Sequence, residues 1–459
     1  MRARLVLALA VLACAAPADA FTAKPALIPR FKQSIGDYVS RCRLGHPLRV
    51  KVAGRVRTHR LRENQAVRVR TGGRTYHVRC LPKHFPKWKA ERHGTPQAQF
   101  FLVTPTLGPH GSTVVALFDS NGVPVWWMDR PRKPHDAKLL PDGHFAWSTF
   151  TNGQYASHSV PYEEHRLDGR LVRRIAAVGV PTDGHEMQVL PNGDYLVMSY
   201  VPRGGVDLSA YGGPRRATVL DNEIQEVTPR GRRVWRWNSR DHIALSESRP
   251  FMKYIVSGPV RTADGRKAYD IVHLNSIEPD GDSLIISTRQ TDAVYKIGRA
   301  TGDVEWKLGG TAIPQSLAIV GDPDPSMVVS GQHDARLLPD GTLTLHDNRT
   351  LLAHSKPRAM RFAIDESAGT ATELEALTDP QAAYSTCCGS ARKLPGGDWV
   401  AAWGSSGLVT ELTPAGRRVY ALRFGGRRGA DSYRAFPVLP GRLSIGALRR
   451  GMDRMARAR

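Results

Sequence analysis

The chain has 459 residues, 65 Lys+Arg against 42 Asp+Glu, a formal net charge of +23 and 41% hydrophobic residues, enough for a large core and more than one domain. The charge is uneven: residues 21–95 carry +16, residues 438–459 carry +5, and residues 96–437 carry only +1. A near-neutral body excludes nucleic-acid binding as the work of the main fold; the basic ends are left to touch an anionic cell-wall polymer or membrane surface, or simply to be solvated.

At the N-terminus, Arg2 and Arg4, the apolar run Leu5 to Ala13 and the small-x-small triplet Ala18-Asp19-Ala20 predict a signal peptide over 1–20. The rival reading, a lipoprotein box at Val11-Leu12-Ala13-Cys14, is weakened by Leu12. No later apolar run reaches the roughly 20 residues that span a bilayer. The mature chain is therefore expected to be exported, and soluble or peripherally held in the extracytoplasmic space. Cysteine usage agrees: Cys42 and Cys80 bracket the basic region and suit a disulfide. Cys387 and Cys388 are adjacent; a strained vicinal disulfide is conceivable there, but buried thiols are the favoured expectation.

Residues 21–37 read as a leader lying on the surface. Residues 38–95 read as a small basic β domain, because Leu48-Arg-Val-Lys-Val52, Ala66-Val-Arg-Val-Arg70 and Thr75-Tyr-His-Val-Arg79 alternate as half-buried strands do. Residues 96–437 hold two interleaved repeats. One places a histidine six residues before the Pro of a Pro-x-Gly turn: His135, His185, His273 and His333, with Gly389 in the same frame of a fifth copy. The other is a strand, a turn and a strand ending in an aromatic: Val114 to Trp126, Glu223 to Trp235, Ala293 to Trp306 and Val409 to Tyr420, with weaker copies at Tyr162 to Ile175 and Met360 to Leu374.

Two strands from each repeat make four-stranded units, the size of propeller blades. The predicted fold is all-β: a six-bladed β-propeller over 96–437, preceded by the small N-terminal β domain. A two-sheet sandwich array is the structural competitor, disfavoured by the even unit length. The first hairpin lacks its inner pair, so Gln99 to Thr104 or the C-terminal stretch around Tyr433 is expected to complete that blade. Val201 to Asp270 reads as a long inserted loop beside the channel. Leu443 to Arg459 in the basic tail reads as a cationic helix against a membrane or as a frayed end.

In a propeller the first strand of each blade lines the channel, so the four histidines should share one mouth. Any one of them alone is more simply a structural histidine tying its loop to the next blade. The third copy adds polar groups: strand alternation puts His273 and Asn275 on one side, and Arg289 ends the returning strand near them. By the same parity Asp136, Glu186 and Asp334, each next to a histidine, should face away. An imidazole, an amide and a guanidinium suit a tetrahedral anion. Two enzymatic uses compete, a metal centre of several imidazoles and a group transfer with a neutral imidazole as nucleophile; the cationic Arg289 favours the second. From another class, a non-catalytic propeller could bind an anionic glycan or a protein partner at the same mouth.

The segments Gly184-His185-Glu-Met-Gln-Val-Leu-Pro-Asn-Gly193, Asp270-Ile-Val-His273-Leu-Asn275-Ser, Ser287-Thr-Arg289-Gln-Thr-Asp-Ala-Val and Gln332-His333-Asp-Ala-Arg with His346-Asp347-Asn348 resemble the bacterial arylsulfate sulfotransferases. The resemblance implies a propeller that moves a sulfuryl group from a small-molecule aryl sulfate donor to a phenolic acceptor, without a nucleotide sulfate donor, through a sulfated histidine. Carried over by position, it implies His333 as nucleophile, His273 and Arg289 as further catalytic groups, and His185 and Asn275 as substrate contacts. No cofactor, metal or nucleic acid is expected, and the oligomeric state has no signature in the sequence.

Overall fold

The computed structural model describes residues 22–24, 37–41, 48–52, 55–71, 74–82, 84–107, 111–149, 158–323, 329–352, 355–425 and 431–457. The expected signal peptide lies outside the described residues, as does most of the leader. Two compact units are present, the second beginning at His84.

The N-terminal unit contains two three-stranded sheets. One orders Thr22–Lys24, Leu48–Val52 and Arg55–His59; the other orders Asp37–Arg41, Arg74–Leu81 and Ala66–Thr71. The three alternating runs read from the sequence are all strands here. Cys80 is in a disulfide, and its expected partner Cys42 lies outside the described residues.

The second unit is built of six antiparallel four-stranded blades. From the channel outward, blade 2 is Pro134–Leu139, Phe145–Thr149, Tyr162–His165 and Leu171–Ile175. Blade 3 is Thr182–Val189, Tyr195–Val206, Ala217–Val227 and Arg233–Asn238. Blade 4 is Leu274–Asp280, Ser283–Thr288, Ala293–Gly298 and Val304–Gly309. Blade 5 is His333–Leu337, Leu343–Asp347, Arg358–Asp365 and Thr370–Leu377; blade 6 is Ser390–Lys393, Trp399–Ala402, Leu408–Leu412 and Arg418–Phe424. Blade 1 joins the two ends of the unit: Asp431–Val438 is innermost, followed by Phe100–Leu107, Val114–Asp119 and Pro124–Asp129. Both proposed sources of the missing strands are therefore used, and blade 1 closes the ring by joining its two ends.

The sequence repeats follow from this architecture. A blade is covered on both faces, so its strands are apolar at successive positions rather than at alternate ones. In Ser283–Thr288, Ile286 packs into the core shared with blade 3 and Ile285 into the core shared with blade 5. The Pro-x-Gly turns recur because the glycine must adopt positive φ: Gly143, Gly193, Gly281, Gly341 and Gly397 have φ of 83°, 85°, 56°, 79° and 94°.

Two boundaries differ from expectation, and the tail adopts the helical of its two expected forms. Trp88–Arg92, placed by sequence in the N-terminal domain, pairs with Arg418–Phe424 as a fifth strand of blade 6. The stretch 201–270 is not a loop. It holds the prolonged second and third strands of blade 3, a helix Met252–Ser257, and Lys267–Asp270 pairing in parallel with Ala217–Val227. The basic tail forms a helix, Ile445–Arg457, whose Leu448, Gly451 and Met452 are buried. Met452 Sδ accepts the Trp127 N–H at 3.4 Å, and the Gly451 Cα lies so close to the Leu167 carbonyl that a Cβ there would fall 2.2 Å from its oxygen. The apolar face of this helix is thus occupied by the propeller itself. Among the described residues no helix is long and apolar enough to cross a membrane.

Candidate active site

The inner strand of each histidine-bearing blade is interrupted at the same place. Its register to the second strand shifts between His135 and Lys138, between Asp183 and Met187, between Leu274 and Ser276, and between His333 and Arg336; the blade 6 strand, which has no histidine, pairs evenly. Such bulges re-aim side chains and cancel the alternation rule. Asp136 and Asp334 sit at φ of 45° and 59°, and His273 itself is at 58°.

Consequently the acids next to the histidines do not face away. Asp136, Glu186 and Asp334 turn into the channel below the imidazoles and are 2% exposed or less. Arg434 reaches Asp136 at 2.7 Å, Glu186 at 2.9 Å and Asp334 at 3.2 Å. Arg336 and Arg392 each reach Asp334 at 2.7 Å, Lys138 reaches Asp136 at 2.8 Å, and Arg336 and Lys138 both pair with Glu186. This ionic plug fills the axis and forms the floor of the site.

Above the floor lies a cavity of about 1000 Å³, lined among others by His135, His185, His273, His333, Arg289 and Tyr433. The imidazoles surround the Tyr433 ring: His135 stacks on it with centroids 3.9 Å apart, His185 stands at 5.7 Å and His333 at 6.1 Å. His185 and His273 are 5.1 Å apart. Arg289 is held at the rim by its backbone N–H, which donates to the His273 carbonyl at 2.9 Å, and by Nη2, which donates to the Thr386 carbonyl at 3.0 Å. Its guanidinium lies 4.9 Å over the Phe251 ring. No carboxylate among the described residues forms a salt bridge with Arg289, so its charge remains to meet an anion.

Four of the five residues named from sequence thus meet at one cavity. Asn275 does not line it: with His273 in the left-handed region the shared side is lost. Asn275 is fully buried below, where its Nδ2 donates to the Gln332 carbonyl at 2.9 Å and its own carbonyl accepts from Arg434 at 2.6 Å. Sequence reasoning assigned no role to Asp183, Asp270 or Tyr433, or to Lys133, which also lines the cavity, although Asp270 stands three residues before His273 in a quoted motif and Asp183 two before His185.

The imidazoles differ in electrostatics. His333 Nδ1 donates to the Gly331 carbonyl at 2.9 Å, leaving Nε2 as the lone-pair nitrogen. Burial, then the charges of Arg289 and His273, push its pKa well below the ordinary value, so it stays neutral. His135 is brought to about 4, chiefly by burial and secondly by His185. At His185 burial opposes charge, but the Asp183 carboxylate, 2.8 Å from Nδ1, outweighs it and raises the pKa. At His273 burial wins over the Asp270 carboxylate paired with Nδ1, and the pKa falls. A neutral nucleophilic nitrogen, a cation for an anionic substrate and two Asp-backed imidazoles constitute the elements of a group-transfer site.

Solved structures similar to the chain include a protein of unknown function from Bacteroides caccae, 13% identical, covering 74% of this chain and 99% of that one with a TM-score of 0.43. Another is a streptogramin B lyase, 10% identical, covering 89% of this chain and 99% of that one with a TM-score of 0.34. Among curated proteins none matches significantly. The profile of the arylsulfotransferase (ASST) family, by contrast, matches residues 177–425, which carry His185, His273, Arg289 and His333 and make up more than half of the sequence, and the chain belongs to that family.

Proposed function

We propose that the protein is an exported aryl-sulfate sulfotransferase acting by two displacements through a sulfated His333. The observation that carries the reading is a neutral His333 in one cavity wall with Arg289, whose charge no carboxylate among the described residues balances. Donor sulfate binds Arg289, and His333 Nε2 attacks sulfur. The N–S bond forms as the S–O bond to the aryl group breaks. The phenolate leaves with the proton that the His185–His273 pair carries, a pair in which Asp183 favours the charged form of His185. An acceptor phenol then returns that proton to the pair, and its oxygen attacks sulfur as the N–S bond breaks. No nucleotide donor is required, because the aryl ester brings its own leaving group. The predicted signal peptide supports an extracytoplasmic location.

The test is a single-turnover trap. Purified protein with nitrophenyl sulfate and no acceptor should release nitrophenol in a burst equal to the enzyme present, with a sulfate adduct on the His333 peptide. Phenol should restore turnover. Full activity in His333→Ala, or an adduct elsewhere, would overturn the assignment.

A further inference from the structure

Cys387 and Cys388 are adjacent free thiols, and both line the cavity. Cys388 holds a positive φ of 70°, unusual for a residue with a side chain. Their backbone supports the nucleophile. The Cys388 carbonyl accepts from Asn348 Nδ2 at 2.9 Å, the same Nδ2 donates to the Gly331 carbonyl at 2.8 Å, and that carbonyl receives the His333 Nδ1 proton. Ser385 Oγ donates to Asn348 Oδ1 and approaches the Cys387 carbonyl at 3.2 Å. Thr386, one residue earlier, anchors Arg289. The segment 385–388 therefore holds both the tautomer of His333 and the position of Arg289.

We propose that Cys387 and Cys388 are a thiol-modification site in the cavity wall, which a low-molecular-weight disulfide converts to a vicinal disulfide, disabling His333. Neighbouring Cα atoms in a trans chain lie about 3.8 Å apart, closer than the roughly 4.4–6.8 Å that disulfides ordinarily span. Closing the ring must therefore move the intervening peptide, whose Cys387 carbonyl is approached by the same Ser385 Oγ that donates to Asn348, and with it the backbone of Cys388, whose carbonyl steadies Asn348. Cys387 is the attacking group: its hydrogen bond with Cys388 lowers its pKa, burial opposes this, and Arg289 adds to the lowering. Its thiolate attacks one sulfur of the incoming disulfide, forming a mixed disulfide and expelling one thiolate, which takes up a proton. Cys388 then gives up its proton and attacks Cys387 sulfur, expelling the second thiol. Two protein thiols are oxidised by two electrons, and one small disulfide is reduced to two thiols.

The modification itself is independent of the proposed reaction; only its effect on turnover rests on that reading. Full-length protein is treated with oxidised glutathione, then alkylated, mapped by mass spectrometry and assayed with nitrophenyl sulfate and phenol. The expected result is a bridge, read as the loss of two hydrogens, confined to the 387–388 peptide. It is slowed by saturating nitrophenyl sulfate, accompanied by a roughly tenfold or greater fall in turnover, and reversed by dithiothreitol. Cys388→Ser should stop at the glutathione adduct on Cys387, and Cys387→Ser should take up none. Should one serine variant fail to fold, the other and the wild-type map decide the matter. Thiols that stay reduced in the folded protein, or a bridge that leaves turnover unchanged, overturn the proposal. A preparation without any turnover counts against the sulfotransferase reading instead, and the mass map alone then keeps or ends the site.

Discussion

Replacing Arg434 with Met isolates the contribution of the ionic floor. The guanidinium contacts Asp136 at 2.7 Å, Glu186 at 2.9 Å, Asp334 at 3.2 Å and the Asn275 carbonyl at 2.6 Å, with its side chain 3% exposed. Met fills most of the same volume, so the loss is chiefly electrostatic: three buried carboxylates lose a shared cation. Deleting one partner of a buried ion pair costs about 3–5 kcal/mol. With a urea dependence of about 3 kcal/mol/M, the unfolding midpoint should fall by roughly 1–1.7 M at pH 7. The effect should depend on pH with a definite sign. Burial by itself raises the Asp136 and Asp334 carboxyls, but Arg434 then Lys138, and Arg392 then Arg336, hold them far below the ordinary range. A depressed folded-state pKa contributes stability above the unfolded value of about 3.9, and that stability is lost as pH falls through the folded value. Wild type should therefore lose stability steeply below pH of about 4 while Arg434→Met loses less, so the gap between them narrows in acid. An unchanged midpoint at pH 7, or a constant gap down to acid pH, would refute the account of the floor.

Three further outcomes are expected. Because His333 remains neutral, nitrophenol release in the first half-reaction should fall by no more than about twofold as pH drops from roughly 7.5 to 5.5, a range over which an ordinary imidazole becomes about 90% protonated; a tenfold fall in stopped-flow bursts would place its pKa in the ordinary range. Arg289→Leu should slow that same step by about 10²–10³, the usual cost of removing one donor to developing charge, while its thermal melting stays near that of wild type. Gly404→Ala should lower both melting temperature and turnover. Its Cβ would meet Ser385 Oγ at 1.9 Å and the Cys387 carbonyl at 2.5 Å, at a φ of 53° that adds about 1–2 kcal/mol of strain. A variant with wild-type melting and rate would show that the 385–388 segment does not depend on this packing.

The regular part of the fold was legible because propeller blades repeat locally. All six hairpins, four of them ending in an aromatic, and all five inner pairs read from the sequence are outer and inner strand pairs in the structure. What escaped was whatever a repeat cannot encode. The incomplete first hairpin pointed to Gln99 to Thr104 and the stretch around Tyr433 as alternatives, but no local period announces that the two pair with each other, Asp431–Val438 with Phe100–Leu107, more than 300 residues apart. Trp88–Arg92 looked like more of the basic domain because its charge matched that region, yet its partner strand is Arg418–Phe424. In the site, counting by twos correctly gathered the histidines, which share a turn offset, but misplaced Asn275 and the three acids. The register shift beside each histidine inserts one residue, or three around His185, which parity cannot anticipate.

The closure of blade 1 ties chemistry to the completeness of the polypeptide. Tyr433, on which His135 stacks, and Arg434, which neutralises the buried acids, both belong to the strand that follows all the other described strands in the chain. A product terminated early would have most of its blades and every cavity-lining histidine, but neither the ring between those imidazoles nor the cation beneath them. Reactive sites of this kind are therefore withheld from chains cut short of that strand, and competence arrives only after every other blade has been made.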